Sequence, residues 1–114
     1  MARSTSLHHA QAALVAACAI IGSPLPASAQ MSPAAQRGLA YVRVHCAQCH
    51  SVDKVTSSPL KIAPPFRTLH ERYPVESLQE ALAEGIRTGH PTMPEFRLDP
   101  GQVGDVIAYL KTLE

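Results

Sequence analysis

An all-α domain is what this sequence predicts, on three observations. Two segments open on a proline-led helix start, Ser32-Pro33 and Asp99-Pro100-Gly101-Gln102. Apolar residues recur at spacings of three and four, most clearly at Val103, Val106, Ile107, Leu110 and Leu113. Nowhere does the sequence alternate apolar and polar residues as a half-buried strand would. The chain has 114 residues, 46% hydrophobic and 17% charged, which is globular composition with room for one ordinary domain. Ten Lys plus Arg against nine Asp plus Glu leave no basic excess to draw it onto nucleic acid or an anionic membrane. Three cysteines are too few and too oddly numbered for a disulfide scaffold.

The first element, residues 1–29, reads as an export label. Arg3 precedes an unbroken apolar run, AALVAACAII over residues 12–21, and small residues follow from Gly22 to Ala29. Ten helical residues rise about 15 Å, half of a hydrocarbon core of about 30 Å, so the run is too short for a permanent span. Ala27-Ser28-Ala29 fits a small-x-small cleavage site, which makes Gln30 the start of the mature chain and removes Cys18. A rival exists: Val15-Ala16-Ala17-Cys18 faintly resembles the box before a lipid-modified cysteine, although the apolar run continues past Cys18 to Ile21. The expectation is a soluble periplasmic domain over residues 30–114 with no stable membrane anchor. Losing Arg3 leaves nine basic against nine acidic side chains, so strong electrostatic steering is not expected. A domain this small needs a staple beyond its own core.

The mature elements follow in order. Ser32 as N-cap and Pro33 as first helical residue open a proline-free segment to about Cys49, read as the first helix. From Ser51 to Pro65, serines and prolines without a sustained period read as a loop. Phe66 to Tyr73 suits a short helical turn. Val75, Leu78, Leu82 and Ile86 place a second helix over Pro74 to Thr88, with Arg87 near its end and Gly89 as C-cap. The string GHPTMPEFRL, residues 89–98, is a proline-fixed strap, and Asp99 with Gln102 forms a capping box for the last helix.

Cys46-Ala47-Gln48-Cys49-His50 carries the chemistry. C-x-x-C-H is the attachment sequence of c-type haem: two thiols three positions apart add to the two vinyl groups of one porphyrin, and the next residue is carried under the iron. Two other uses of C-x-x-C compete. A zinc site needs a second ligand pair, and the mature chain has no further cysteine. A thioredoxin-like dithiol needs a βαβ setting, which the pattern lacks. Export, helical pattern and the need for a staple all agree with one covalent haem c on Cys46 and Cys49.

With these residues the chain resembles class I cytochromes c over nearly all of Ser32 to Leu113. Gly38, eight positions before Cys46, stands where such cytochromes use a glycine to bring the first and last helices together. Val106-Ile107-Ala108-Tyr109-Leu110 is very like the family's LIAYL segment. The sequence departs from the pattern four residues before Cys46, where Val42, with Tyr41 beside it, replaces the usual aromatic. It also has no Trp for a propionate contact. The resemblance implies about three main helices wrapped around the haem, the terminal two crossing.

It also implies the iron's ligands. His50 is the proximal ligand, and Met93, between Pro91 and Pro94, matches the family's distal methionine segment, with His90 as the alternative. Flanking prolines suit a fixed ligand better than an adaptable core filler. Pro64 falls where relatives use a proline carbonyl to accept the proximal histidine's N–H. Phe66, Leu69, Leu78, Leu82 and Ile86 are candidate haem walls, although helix packing alone explains their spacing. Arg67, Arg72 and Tyr73 are candidate propionate contacts or simply surface, and His45 and His70 surface or packing residues. Two axial ligands leave iron saturated, which implies a one-electron carrier between larger redox proteins and not an enzyme. The alternatives are an electron-transfer subunit of a dehydrogenase complex and a five-coordinate haem sensor or peroxidase-like enzyme. A monomer or a complex subunit fits the same sequence.

Overall fold

The structure, a computed structural model, describes residues 30–85 and 92–114. In chain order it has helix α1 (Pro33–His45), two short 3-10 helices (Phe66–Glu71 and Val75–Ser77), helix α2 (Leu78–Glu84) and helix α3 (Pro100–Lys111). No strand occurs among the described residues, so the all-α expectation holds. None of these helices is long and apolar enough to cross a membrane.

The ends of α1 and α3 follow their sequence signals. Ser32 Oγ accepts the Ala35 N–H at 3.1 Å, and Pro33 occupies the first turn, where a missing N–H costs nothing. Arg43 and His45 sit in the last turn, against the negative end of the helix dipole. At α3 the Gln102 side chain reaches back to accept the Asp99 N–H at 3.0 Å.

Two ends differ from the sequence expectation. The first helix stops at His45 instead of running to Cys49, because the Val42 carbonyl takes both the Cys46 and the Ala47 N–H, at 2.9 and 3.1 Å. That shared acceptor closes the α ladder and starts the turn that carries the thiols. The second helix begins as a 3-10 turn after Pro74, becomes α-helical only at Leu78 and stops at Glu84. Gly85 has φ 106°, a left-handed conformation open to glycine, and its N–H still bonds the Ala81 carbonyl. Ile86, Arg87, Thr88 and the expected cap Gly89 lie outside the described residues.

The frame is the crossing of α1 over α3. Val42, Val103, Val106, Ile107, Tyr109, Leu110 and Leu113 are all buried in one cluster, with Leu69, Val75 and Leu82 from the middle of the chain. Gly38 makes the crossing close: a Cβ there would sit 2.0 Å from the Asp105 carbonyl oxygen and 2.9 Å from Tyr109 Cβ. Val42 is fully buried, so it takes the crossing position where relatives carry an aromatic, while Tyr41 remains half-buried and stacks on His45. Arg37 closes the rim with a two-pronged bond to the Asp105 carboxylate, at 2.7 and 2.8 Å. That pair holds the Asp105 pKa below the ordinary carboxylate range.

Candidate functional site

The thiol turn follows directly on α1. Cys46 caps the helix, and its carbonyl accepts the N–H groups of Cys49 and His50, at 3.1 and 3.0 Å, which winds the five-residue motif into one tight turn. Cys46 and Cys49 are both partly buried and are not paired in a disulfide. Burial pushes the Cys46 thiol up to about 11, so it is neutral at physiological pH, with apolar surroundings to match. Beside it lies a cleft of about 150 Å³ lined by Tyr41, His45, Cys46, Pro94 and Phe96. The strap before α3 thus meets the end of α1 at the first thiol.

His50 is 8% exposed, and its ring is oriented on two sides. Nδ1 lies 2.8 Å from the Pro64 carbonyl oxygen, and the Phe66 ring packs against the imidazole at a centroid distance of 5.0 Å. A carbonyl only accepts, so Nδ1 carries the proton and Nε2 carries the lone pair that a metal needs. The donor set therefore fits a c-type haem: two thiols at the attachment spacing, then an imidazole of defined tautomer.

The remaining expected site residues fall as follows. Met93 is half-buried at the start of the strap, and the strap is pinned at its other end, where the Leu98 N–H donates to the Leu82 carbonyl at 2.9 Å. His90 and Pro91 lie outside the described residues. Leu69 and Leu82 are buried in the shared core, with Leu78 and Phe66 packed at its edge. Arg67 turns to the loop, donating to the Thr56 carbonyl at 2.6 Å and to Ser51 Oγ at 3.3 Å. Arg72, Tyr73 and His70 border a separate open depression, with no motif residue in its lining. His45 stacks on Tyr41 with ring centroids 4.3 Å apart.

The cytochrome c family model matches residues 35–114, from the first turn of α1 to the end of the chain. The chain belongs to the cytochrome c family. It is also similar to cytochrome c-552 of Bradyrhizobium diazoefficiens, at 28% identity over 96 residues, covering 84% of this chain and 90% of that protein. No solved structure matches it. As a cytochrome c it binds haem c covalently through the thiols of Cys46 and Cys49, and it is an electron-carrying haem protein that works with redox partners.

Sequence reasoning missed several residues around this site. Tyr109 reaches from α3 to donate its hydroxyl to the Val52 carbonyl, tying the last helix to the loop after the motif. Burial raises the Tyr109 pKa, which keeps it a donor. Ser51 and Asp53 organise the loop itself. An Asp followed three positions later by Thr was the one visible hint of that turn.

Proposed function

We propose that this cytochrome c is an exported one-electron carrier of the periplasm, with His50 and Met93 as axial ligands of its iron. The observation that carries this reading is the 2.8 Å hydrogen bond from His50 Nδ1–H to the Pro64 carbonyl, which presents Nε2 as the basic nitrogen. Haem c, when bound, supplies a reversible one-electron iron couple. The protein's part is to hold that couple in one environment through both states. Cys46 and Cys49 tether it, Phe66 buttresses the proximal ring, and the strap from Thr92 to Leu98 brings the Met93 thioether from the opposite end of the sequence.

Ligation by two strong donors excludes exogenous molecules from the iron, which is why the reading is of a carrier and not an enzyme. A thioether also favours ferrous iron more than a second imidazole does, so replacing Met93 with His lowers the midpoint potential. The test is a redox titration of the holoprotein with a parallel exposure of its reduced form to carbon monoxide. The expected result is one reversible one-electron wave and slow or absent gas binding. Rapid stoichiometric binding would replace this reading with a five-coordinate sensor or peroxidase-like enzyme. For the export half of the proposal, the domain is residues 30–114, and residues 1–29 form a leader cleaved after Ala29. Support comes from the 10-residue apolar run and from the first helix, which opens at Pro33, just beyond the proposed cut. Mass spectrometry of the mature protein is expected to give an N-terminal Gln30; a lipidated Cys18 would instead make it membrane-tethered.

A further inference from the structure

Directly after His50, the chain enters a polar cluster that the haem-binding motif does not require. Ser51 is 2% exposed, yet every polar group it has is engaged. Its N–H donates to Ser58 Oγ at 3.0 Å, and its carbonyl accepts the Phe66 N–H at 2.9 Å. Its hydroxyl lies 3.0 Å from Thr56 Oγ1 and 3.3 Å from the Arg67 guanidinium.

Elementary donor and acceptor bookkeeping fixes the direction of these bonds. The Asp53 carboxyl has its pKa lowered to about 2 by the hydrogen bonds from the Thr56 hydroxyl and the Thr56 and Val55 N–H groups, so it is ionised and only accepts. The Thr56 hydroxyl proton is therefore committed to Asp53 Oδ2, at 2.6 Å. Thr56 Oγ1 has only lone pairs left for Ser51, so Ser51 donates to it. That leaves Ser51 Oγ accepting from Arg67, a guanidinium that only donates. The result is a one-way relay, Arg67 to Ser51 to Thr56 to Asp53, with a cation at one end and an anion at the other. Each hydroxyl both accepts and donates, the arrangement in which hydrogen bonds reinforce one another.

This relay closes on the proximal histidine from both directions along the chain. Ser51 is the next residue after His50. Its carbonyl holds the N–H of Phe66, whose ring packs on the imidazole, and two residues before Phe66 is the Pro64 carbonyl that receives Nδ1–H. Arg67 adds a second clamp by donating to the Thr56 backbone at 2.6 Å. The segment 51–58, which starts next to His50, and the segment 64–67, which contacts its ring, are thus held together by Arg67 and Ser51.

We infer that Arg67 and Ser51 are positioning residues for His50: they fix the separation of the imidazole from the Pro64 carbonyl and through it the potential of the iron. The inference rests on the proposed ligation by His50. A tighter Nδ1–H bond makes the imidazole more basic and stabilises ferric iron, so loosening the clamp raises the midpoint potential.

The experiment compares holoprotein with Ser51→Ala and Arg67→Lys, neither of which changes the net charge. Both variants are expected to show a raised midpoint potential and faster exchange of the His50 Nδ1 proton, measured against exchange at the α1–α3 crossing as an internal standard. A merely structural role would speed exchange at both places and leave the potential where it was, and that pattern overturns the inference. Unchanged potential and unchanged exchange in both variants overturn it as well. Should Ser51→Ala fail to fold, Arg67→Lys carries the same test with its charge in place. Absence of a hyperfine-shifted His50 ring proton in the wild-type ferric protein would remove the ligation reading itself, a different result from an unmoved potential in the variants.

Discussion

At the α1–α3 crossing the two backbones meet through Gly38, and the surroundings are almost wholly apolar, with Val42, Val106, Ile107 and Leu110 buried on either side. In the loop from Ser51 to Ser58, only Ser51 and Val52 are buried, and the chain is held by hydrogen bonds from Asp53, Thr56, Ser58 and Arg67. Packing spreads its stabilisation over many weak contacts, so the crossing is robust except where its backbones touch. A hydrogen-bonded loop rests on a few directional groups, and losing one moves what is attached to it. In this cytochrome c the robust region carries the fold, and the directional region adjoins His50, the proposed iron ligand.

The largest effect should come from removing the tether. Cys46→Ala with Cys49→Ala leaves a small domain without its staple, and cooperative melting should disappear in calorimetry. Residual amide protection should survive at Val42 and at Val106 to Leu110 while it vanishes from residues 51–66. Equal loss in both regions would erase the contrast.

Gly38→Ala attacks the crossing at its one unforgiving point. The new methyl would meet a backbone oxygen 2.0 Å away, which side-chain adjustment cannot relieve, so the helices must separate. A cost of about 3 kcal/mol in denaturant unfolding is expected, with the loop following because the crossing supports it.

Tyr109→Phe cuts the hydrogen bond from the α3 side of the crossing to the loop, leaving the Val52 carbonyl without its donor. The expected loss is about 1–3 kcal/mol, seen mainly as faster exchange in residues 51–58. Asp53→Asn should have the smallest effect of the four, since its hydrogen bonds are exposed. Its effect is a matter of pH. The folded Asp53 pKa is depressed to about 2, below the ordinary value of about 3.9, so its contribution is complete above the ordinary value and is lost as pH falls towards the folded one. Acid melts of wild type and variant are expected to differ above about pH 4 and to converge near pH 2.

Much of this molecule could be read along the chain. The caps of α1 and α3, the apolar stripe of α3 and the C-x-x-C-H turn are all set by neighbours within a few residues or by spacing, while Gly38 at the crossing was legible through the family resemblance. The Pro64 carbonyl was legible only through that resemblance, and its 2.8 Å bond to His50 is supplied by the fold. Gly85 lies four positions ahead of Gly89, inside an apolar period that runs on to Ile86, so spacing alone does not mark it as the helix end.

Local spacing and propensity were enough to determine an all-α chain, its helix starts and its haem tether, because those depend on bonds closed within a turn. Only the tertiary structure decided that Val42 and not Tyr41 fills the crossing, that Tyr109 reaches Val52 across 57 positions, and that Arg67 serves the loop beside His50. Those contacts depend on how two helices and two loop segments come together in space, and no periodicity along the sequence encodes that distance.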